Sequence, residues 1–359
     1  MIATCSAWLE DLGRRSPIVR SLCSPGLVGC CRLSRDGKNL ANNDRHASLI
    51  VGAIERLYNQ NILRSGQLQD VLKNLIERNT YGQFCELSGY DWLVRNGVRL
   101  NAQVRLVPPE VLNGNGCTVD GYLPSSNVYF DIKGFGLEEL IAKELVSKLE
   151  EKLPGRRILV QGNMDVSTKD MERLFRQLDC ICKTLHTSGR YEVEAMGLTI
   201  EARVPRAIES ATRTWEPYAM AEAHKLSPFR HASQFTRKAP FVLIFAIHPW
   251  FNLRLHVNFQ GSTEIFVRSL ARRAFMEFGN DRTLANEHDR KVGDAITLSD
   301  ASRLLSALFF VDVSPECSPA WLFLNPRATH RIRPDWVEGW FDFRWPKGLK
   351  MDDFEHDNY

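Results

Sequence analysis

Residues 118–134, TVDGYLPSSNVYFDIKG, hold two aspartates and a lysine whose spacing could place them in one reaction site. Asp131 and Lys133 are two residues apart, so in an extended strand both side chains leave one face while Phe130 and Ile132 leave the other. Pro124, Ser125, Ser126 and Asn127 are turn residues, and a turn there brings Asp120 on the preceding strand beside Asp131. Carboxylates and an ammonium on a wet face, backed by apolar residues, can bind a hard cation, orient water and stabilise developing negative charge.

Several elements must position these groups. Upstream, TYGQFCELSGYDWLVRNG has Phe84, Leu87, Trp92 and Leu93 at helical spacing, Gly97 as a stop, and Glu86 inside the helix. A strand is expected near residues 98–107. After Lys133 a helix is expected over 137–153, with Leu140, Ile141, Leu145 and Leu149 as its apolar stripe and Pro154-Gly155 as its end. Residues 157–161, RILVQ, read as a short buried strand.

A glutamate on a helix, then Asp120, then Asp131-Ile132-Lys133, in the order helix, three strands, helix, strand, resembles the PD-(D/E)xK nuclease superfamily. The resemblance covers residues 81–162, and the element order carries more of it than the letters do. Val119 stands where the family name has a proline. The resemblance implies a restriction-endonuclease-like αβββαβ core with a mixed central sheet, and a site built from Glu86, Asp120, Asp131 and Lys133. Asp120 and Asp131 would hold Mg²⁺ or Mn²⁺, with Glu86 and the Ile132 backbone carbonyl completing the oxygen set. Lys133 would help deprotonate or orient the attacking water, by a lowered pKa, or else stabilise charge on the phosphoryl group. Gln161 is an accessory candidate, placed to orient a water or phosphate. The ordinary alternative is a solvated hairpin face carrying a weak Asp131–Lys133 pair.

The 359 residues exceed such a core, and 44% hydrophobic with 25% charged residues describes a folded chain with more than one structural unit. A net charge of +3, with its cations spread out, permits nucleic-acid binding without arguing for it. Nine cysteines at irregular spacing, and no apolar leader near the first residue, lead us to expect free thiols, a cytoplasmic protein and no membrane span. Cys5, Cys23, Cys30 and Cys31 lack the paired short spacings of a zinc site.

Three regions are expected: a loop-rich N-terminus with a helical lead-in over 1–79, the nuclease-like core over 80–189, and an α+β C-terminal elaboration or second domain over 190–359. Within the last, a hairpin is expected over 190–204, strands over 241–247, 253–259 and 321–324, helices over 214–225, 265–278 and 298–310, and a frayed end from 352. Arg268 and Arg272 share a helix face and could hold a phosphate backbone; Arg327, Arg331 and Arg333, in the basic loop NPRATHRIRPDW, are the better candidates for DNA contact. His248-Pro249-Trp250-Phe251 could stack on a base, although a strand end turning under its own apolar cap accounts for it better.

The expected activity is thus metal-dependent hydrolysis of DNA phosphodiester bonds by an endonuclease, in restriction, defence or repair. A partner ATPase, helicase or methyltransferase, and a homo-oligomer, are both open. The rivals are a catalytically silent nucleic-acid-binding or assembly subunit of the same fold, and an RNA nuclease.

Overall fold

The computed structural model describes residues 5–23, 40, 44–77, 80–135, 138–162, 173–194, 198–204, 217–247, 260–293, 295–313, 319–341 and 344–357. In chain order the elements are α1 (Cys5–Arg15), α2 (Pro17–Leu22), α3 (Asp44–Asn59), α4 (Ser65–Glu77), α5 (Thr80–Arg95), β1 (Asn101–Leu106), β2 (Cys117–Leu123), β3 (Val128–Phe135), α6 (Glu138–Lys152) and β4 (Arg157–Gly162). Then follow α7 (Leu178–Ser188), β5 (Arg190–Val193), β6 (Leu198–Arg203), α8 (Pro217–His224), a 3₁₀ segment (Ser227–Gln234), β7 (Phe241–Ile247), α9 (Gln260–Met276), α10 (Leu298–Leu304), β8 (Ala307–Asp312), β9 (Ala320–Leu324), α11 (Pro334–Glu338) and β10 (Leu349–Asp352).

The chain is a mixed α/β protein with two sheets among the described residues. A seven-stranded sheet runs β1-β2-β3-β7-β8-β9-β10, and a three-stranded sheet runs β4-β6-β5. In the first, β1, β2 and β3 form an antiparallel meander, β3, β7 and β8 are parallel, β9 is antiparallel to β8, and β10 is parallel to β9. Every residue of β7 (FVLIFAI) and β8 (ALFFVD) is buried, as parallel strands covered on both faces require.

Two compact units divide the chain: residues 1–135, 225–249 and 267–359 form one, and residues 136–224 and 250–266 the other. This division does not follow the expected boundaries at 80, 189 and 190. The second unit has its own core, in which Leu145 and Leu149 of α6 pack with Ile158, Val160, Ile181, Leu185 and Ile200. α6 and β4 therefore do not supply the helix and fourth strand of the expected core. β4 pairs antiparallel with β6 over its whole length, and the strand beside β3 is β7. The burial of β4 has the physical reason: Ile158 and Val160 are buried while Arg157 is exposed and Leu159 half-buried, a one-sided pattern, whereas β7 is buried throughout.

In the first unit α5 is the central helix. It is buried nearly all round and packs on α3 and α4 as well as on β3 and β7. Trp92 meets Phe309 of β8 edge-on at 5.1 Å. A Cβ on Gly89 would fall 2.7 Å from Ile132 Cγ2, so only glycine lets α5 approach β3 this closely.

Other expectations are corrected. Residues 5–22 are helical rather than loop: α1 buries Trp8, Leu9 and Leu12, and α2 starts at Pro17 with Ser16 accepting from Val19 N, while residues 24–39 and 41–43 lie outside the described residues. Residues 298–310 are not one helix but α10 followed by β8; Asn325 Nδ2 donates to Ser302 O and Leu305 O at the end of α10, and a continuous apolar run carries no period that separates strand from helix. The C-terminal segment is not frayed as far as residue 357: β10 adds to the sheet and Phe354 is buried. The expected strand over 253–259 and the motif at 248–251 lie outside the described residues. Among the described residues the cysteines are free thiols; Cys30, Cys31 and Cys317 lie outside them. No described helix is long and apolar enough to cross a membrane.

Candidate active site

The β2–β3 hairpin forms where the turn residues place it, with Asn127 in the left-handed region at φ 54° and the ladder running Leu123↔Val128, Tyr122↔Tyr129, Gly121↔Phe130. The next pair would be Asp120↔Asp131, and there the backbone ladder stops. Ile132 N donates to Asp120 Oδ2 at 2.6 Å, and Asp120 N donates to Asp131 Oδ1 at 3.3 Å. Two carboxylates thus take backbone donors that a continued ladder would have paired.

The break extends to the other edge of β2. β1 and β2 pair at Ala102↔Gly121 and Val104↔Val119, skipping the Gln103↔Asp120 position, where Gln103 has φ 53°. The Tyr90 hydroxyl, from α5, fills this gap: it accepts from the Gln103 backbone N–H and donates to the Asp120 carbonyl. Asp120 is therefore the one residue of the meander held on both sides by side-chain groups in place of strand neighbours.

Lys133 and Asp131 share a face of β3, and the Lys133 Nζ contacts Asp131 Oδ2 directly. Asp131 is fully buried while the Lys133 side chain is 24% exposed. The Lys133 ammonium is the direct partner of the buried Asp131 Oδ2. Glu86 comes from α5, its Oε2 accepting from Gln83 Nε2 at 3.1 Å, and Gln83 in turn accepts from Asn74 Nδ2.

Electrostatics bind the four groups together. Burial, then the charge of Asp131, push Asp120 well above the ordinary aspartate range; Lys133 opposes this, and Glu86 and a hydrogen bond to Asp131 reinforce it. Burial raises Glu86 as well, against the pull of Lys133. Burial alone would lower Lys133, but Asp131, Asp120 and Glu86 outweigh it and the net shift is upward. Its three carboxylates thus favour the charged ammonium form of Lys133. A buried carboxylate elsewhere on α5 shows the contrast, because Asp91 accepts from Arg56 at 3.1 Å and pairs with Arg95 at 2.9 Å, two cations to one anion. Around Asp120 the ratio is three carboxylates to one lysine.

That excess of acid is the donor chemistry a hard divalent ion takes. Among the described residues, no three of His, Cys, Asp and Glu converge as a ready-made ion cage. What fits is the composition of the cluster: mutually repelling carboxylates, a fully buried Asp131, and one lysine as counter-cation. The Ile132 N–H is directed toward β2, and in an extended strand the carbonyl of the same residue shares that direction, into the opened part of the ladder.

The other expected residues lie elsewhere. Gln161 pairs with Thr199 in the three-stranded sheet, not in the sheet that holds Asp120 and Asp131. Arg268 bonds Asp352 at 2.7 Å and Asp357 at 2.8 Å, and Arg272 pairs with Asp357 at 3.4 Å; these cations anchor the C-terminal segment. Arg333 is paired with Asp335 at 2.6 Å, and Arg327 N is bound by Asn325 Oδ1. The loop with Arg331 follows β9, three strands from β3 in the sheet order, and is tied at the neighbouring His330, whose Nε2 lies 2.7 Å from Arg237 O before β7.

Two groups near the site escaped sequence reasoning. Tyr90 is one turn after Glu86, a spacing that puts both on one side of a helix, so a signal existed. His231, in the 3₁₀ segment, packs on Phe245, the β7 partner of Lys133; burial, then Lys133, Arg230 and Lys291, push it down to about 3. Nothing local ties His231 to the hairpin. Comparison with family models, with curated proteins and with solved structures finds no match for the chain.

Proposed function

We propose that the chain is a divalent-metal-dependent nuclease that hydrolyses DNA phosphodiester bonds at the opened β2–β3 ladder. One observation carries the reading: Glu86, Asp120, Asp131 and Lys133, chosen from sequence as a set, act on one another electrostatically around a break in an otherwise regular meander. The strand order β1-β2-β3-β7, antiparallel, antiparallel and then parallel, supports a restriction-endonuclease-like core whose last strand is β7, with residues 136–224 of the second unit inserted before it.

Asp120 and Asp131 would hold Mg²⁺ or Mn²⁺, with Glu86 and the Ile132 carbonyl as further oxygens. The bound ion supplies Lewis-acid stabilisation of the phosphoryl and leaving oxygens and lowers the pKa of water. Lys133, protonated by the field of its neighbours, places positive charge beside the attacked phosphate and donates to the water or to a phosphoryl oxygen. In-line attack by water on phosphorus forms one P–O bond and breaks another, and the leaving oxygen takes a proton. Tyr90 and Gln83 hold Asp120 and Glu86 in position.

One observation favours a second reading. The aspartate carboxylates already bond backbone donors, so they could serve only to splice two strands in a silent binding or assembly subunit. Incubating the purified chain with DNA and with RNA, in Mg²⁺ and in EDTA, separates the readings. Metal-dependent DNA cleavage that Asp131→Asn abolishes is expected; equal cleavage by the variant refutes the assignment, and faster cleavage of RNA changes the substrate.

A further inference from the structure

The face of the sheet that carries Asp131 and Lys133 is covered over β3 and β7, the 3₁₀ segment also reaches β2, and what stays open is β1 with the exposed Thr118 of β2. On β7, Phe245 is capped by His231 of the 3₁₀ segment. On β1, Asn101, Gln103 and Arg105 are exposed, and on β2 Thr118 is exposed and Asp120 half-buried. Strand parity and the pair Arg105↔Thr118 put Arg105 on the face of Asp120, two residues along β1 from Gln103. The reaction site thus lies at the margin of an open strip, with cations along its border.

These cations are held by a fixed frame. The connection from β1 to β2 is pinned to the 3₁₀ segment by Leu112 N→Phe235 O and Asn113 N→Ser233 O, at 3.1 and 2.9 Å. It is pinned to residues 289–293 by Gly293 N→Leu112 O and the Asn113↔Val292 bridge. Asp289 joins the two partners, accepting from Ser233 N and Lys291 N, so its carboxylate is used within the frame. Arg105 donates to Asn115 O at 3.2 Å. The exposed Arg105, Arg230 and Lys291 emerge from this frame. Arg105 and Lys291 act on Cys117, and Arg230 and Lys291 on His231, together with Lys133 at both places. The acid nearest the frame on its far side, Glu110, is matched by Lys238 at 2.8 Å.

Three cations from three segments, joined by backbone bonds beside an anionic catalytic cluster, suit a ligand with regularly spaced negative charge. Resting on the proposed nuclease reading, we infer that the DNA backbone runs over the open strip along β1, its phosphates contacted by Arg105, Arg230 and Lys291, and that these residues position the scissile phosphate. Arg268, Arg272 and the loop of Arg331 and Arg333 are outside this path.

Binding of a short fluorescent DNA duplex, measured in Ca²⁺ over a series of KCl concentrations, tests the path without requiring cleavage. Arg105→Gln/Arg230→Gln/Lys291→Gln is expected to flatten the log–log salt slope by about 0.9 per lost phosphate contact. Arg230→Gln/Lys291→Gln leaves the Arg105–Asn115 bond intact and should lose the corresponding share, with an unchanged melting temperature. Arg190→Gln/Arg203→Gln, which removes as many charges as the double variant but in the other unit, should leave the slope unchanged. An unchanged slope in the folded double variant overturns the path, as does a loss of slope confined to Arg331→Gln/Arg333→Gln. If the wild type cleaves DNA while the slope is unchanged, only the path fails; if the slope falls but the wild type never cleaves, the path stands and the nuclease reading fails.

Discussion

The two sheets treat their charged residues in opposite ways. In the three-stranded sheet, β4 and β6 pair at all six positions from Arg157↔Arg203 to Gly162↔Leu198. Its charged groups form ordinary surface pairs: Arg203 with Glu201 at 2.6 Å and Arg190 with Glu192 at 2.6 Å, the arginines more than half exposed. In the seven-stranded sheet the ladder fails on both sides of Asp120, and carboxylates and a tyrosine hydroxyl take over the backbone groups. A complete ladder leaves charge at the surface, where it is weakly coupled. An interrupted one draws charge inward, where the groups alter one another's titration.

The comparison is sharpened most by Lys133→Ala. It keeps all three carboxylates, so Mg²⁺ binding followed by calorimetry should persist while cleavage at saturating DNA falls about 10²–10⁴-fold, the span of a lost positioned proton donor. Wild-type rates in this variant would remove Lys133 from the chemistry. Tyr90→Phe comes next. The Gln103 N–H and the Asp120 carbonyl lose their partner, a cost of about 1–3 kcal/mol in denaturant unfolding. An unfolding midpoint within error of wild type would show that the hydroxyl does not bridge β1 and β2.

Stability against pH probes the same break more gently. Asp120 and Glu86 keep protons in the folded chain that the unfolded chain releases, so folding takes up protons above the usual carboxylate values of 3.8 and 4.5. In EDTA the melting temperature should therefore fall as pH rises from there toward the raised folded values. The Lys133 contribution, raised above 10.5, is intact throughout and is lost only as pH passes that value. Asp120→Asn should flatten the decline, and Mg²⁺ should reduce it; an identical slope in the variant would mean that Asp120 is not the group involved. The smallest effect belongs to the regular sheet, where Glu201→Gln should change stability by about 0.5 kcal/mol or less, as exposed pairs do. A larger loss in a thermal melt would undo the contrast between the sheets.

What the sequence disclosed was local. The hairpin, its turn and the Glu86 helix follow from alternation, turn residues and helical spacing within a few dozen residues, and the structure puts them where those signals do. The neighbour of β3 was not legible, because β7 lies beyond an inserted segment and several buried runs compete for one edge. The one-sided burial of Ile158 and Val160 was not readable in RILVQ, whose three consecutive apolar residues suit a strand covered on both faces equally well. α2 was readable, since Ser16 before Pro17 is a helix-start pair that the irregular composition around it concealed. The skipped Gln103↔Asp120 pair had no sequence signal, because it depends on where Tyr90 arrives from a different element.

The insertion between β3 and β7 also sets an order of assembly. β1, β2 and β3 are contiguous in the chain and can pair from near-local contacts, while the second neighbour of β3 emerges only after residues 136–240 have been made. At usual translation speeds that delay is roughly 5–20 seconds. Throughout it β3 is an edge strand that carries Val128, Tyr129, Phe130, Ile132 and Phe135, open to slippage against β2 and to pairing with other chains. The bonds from Ile132 to Asp120 and from Asp120 to Asp131 fix the β2–β3 register from within the hairpin, so the carboxylates that form the site also guard the nascent strand until β7 arrives.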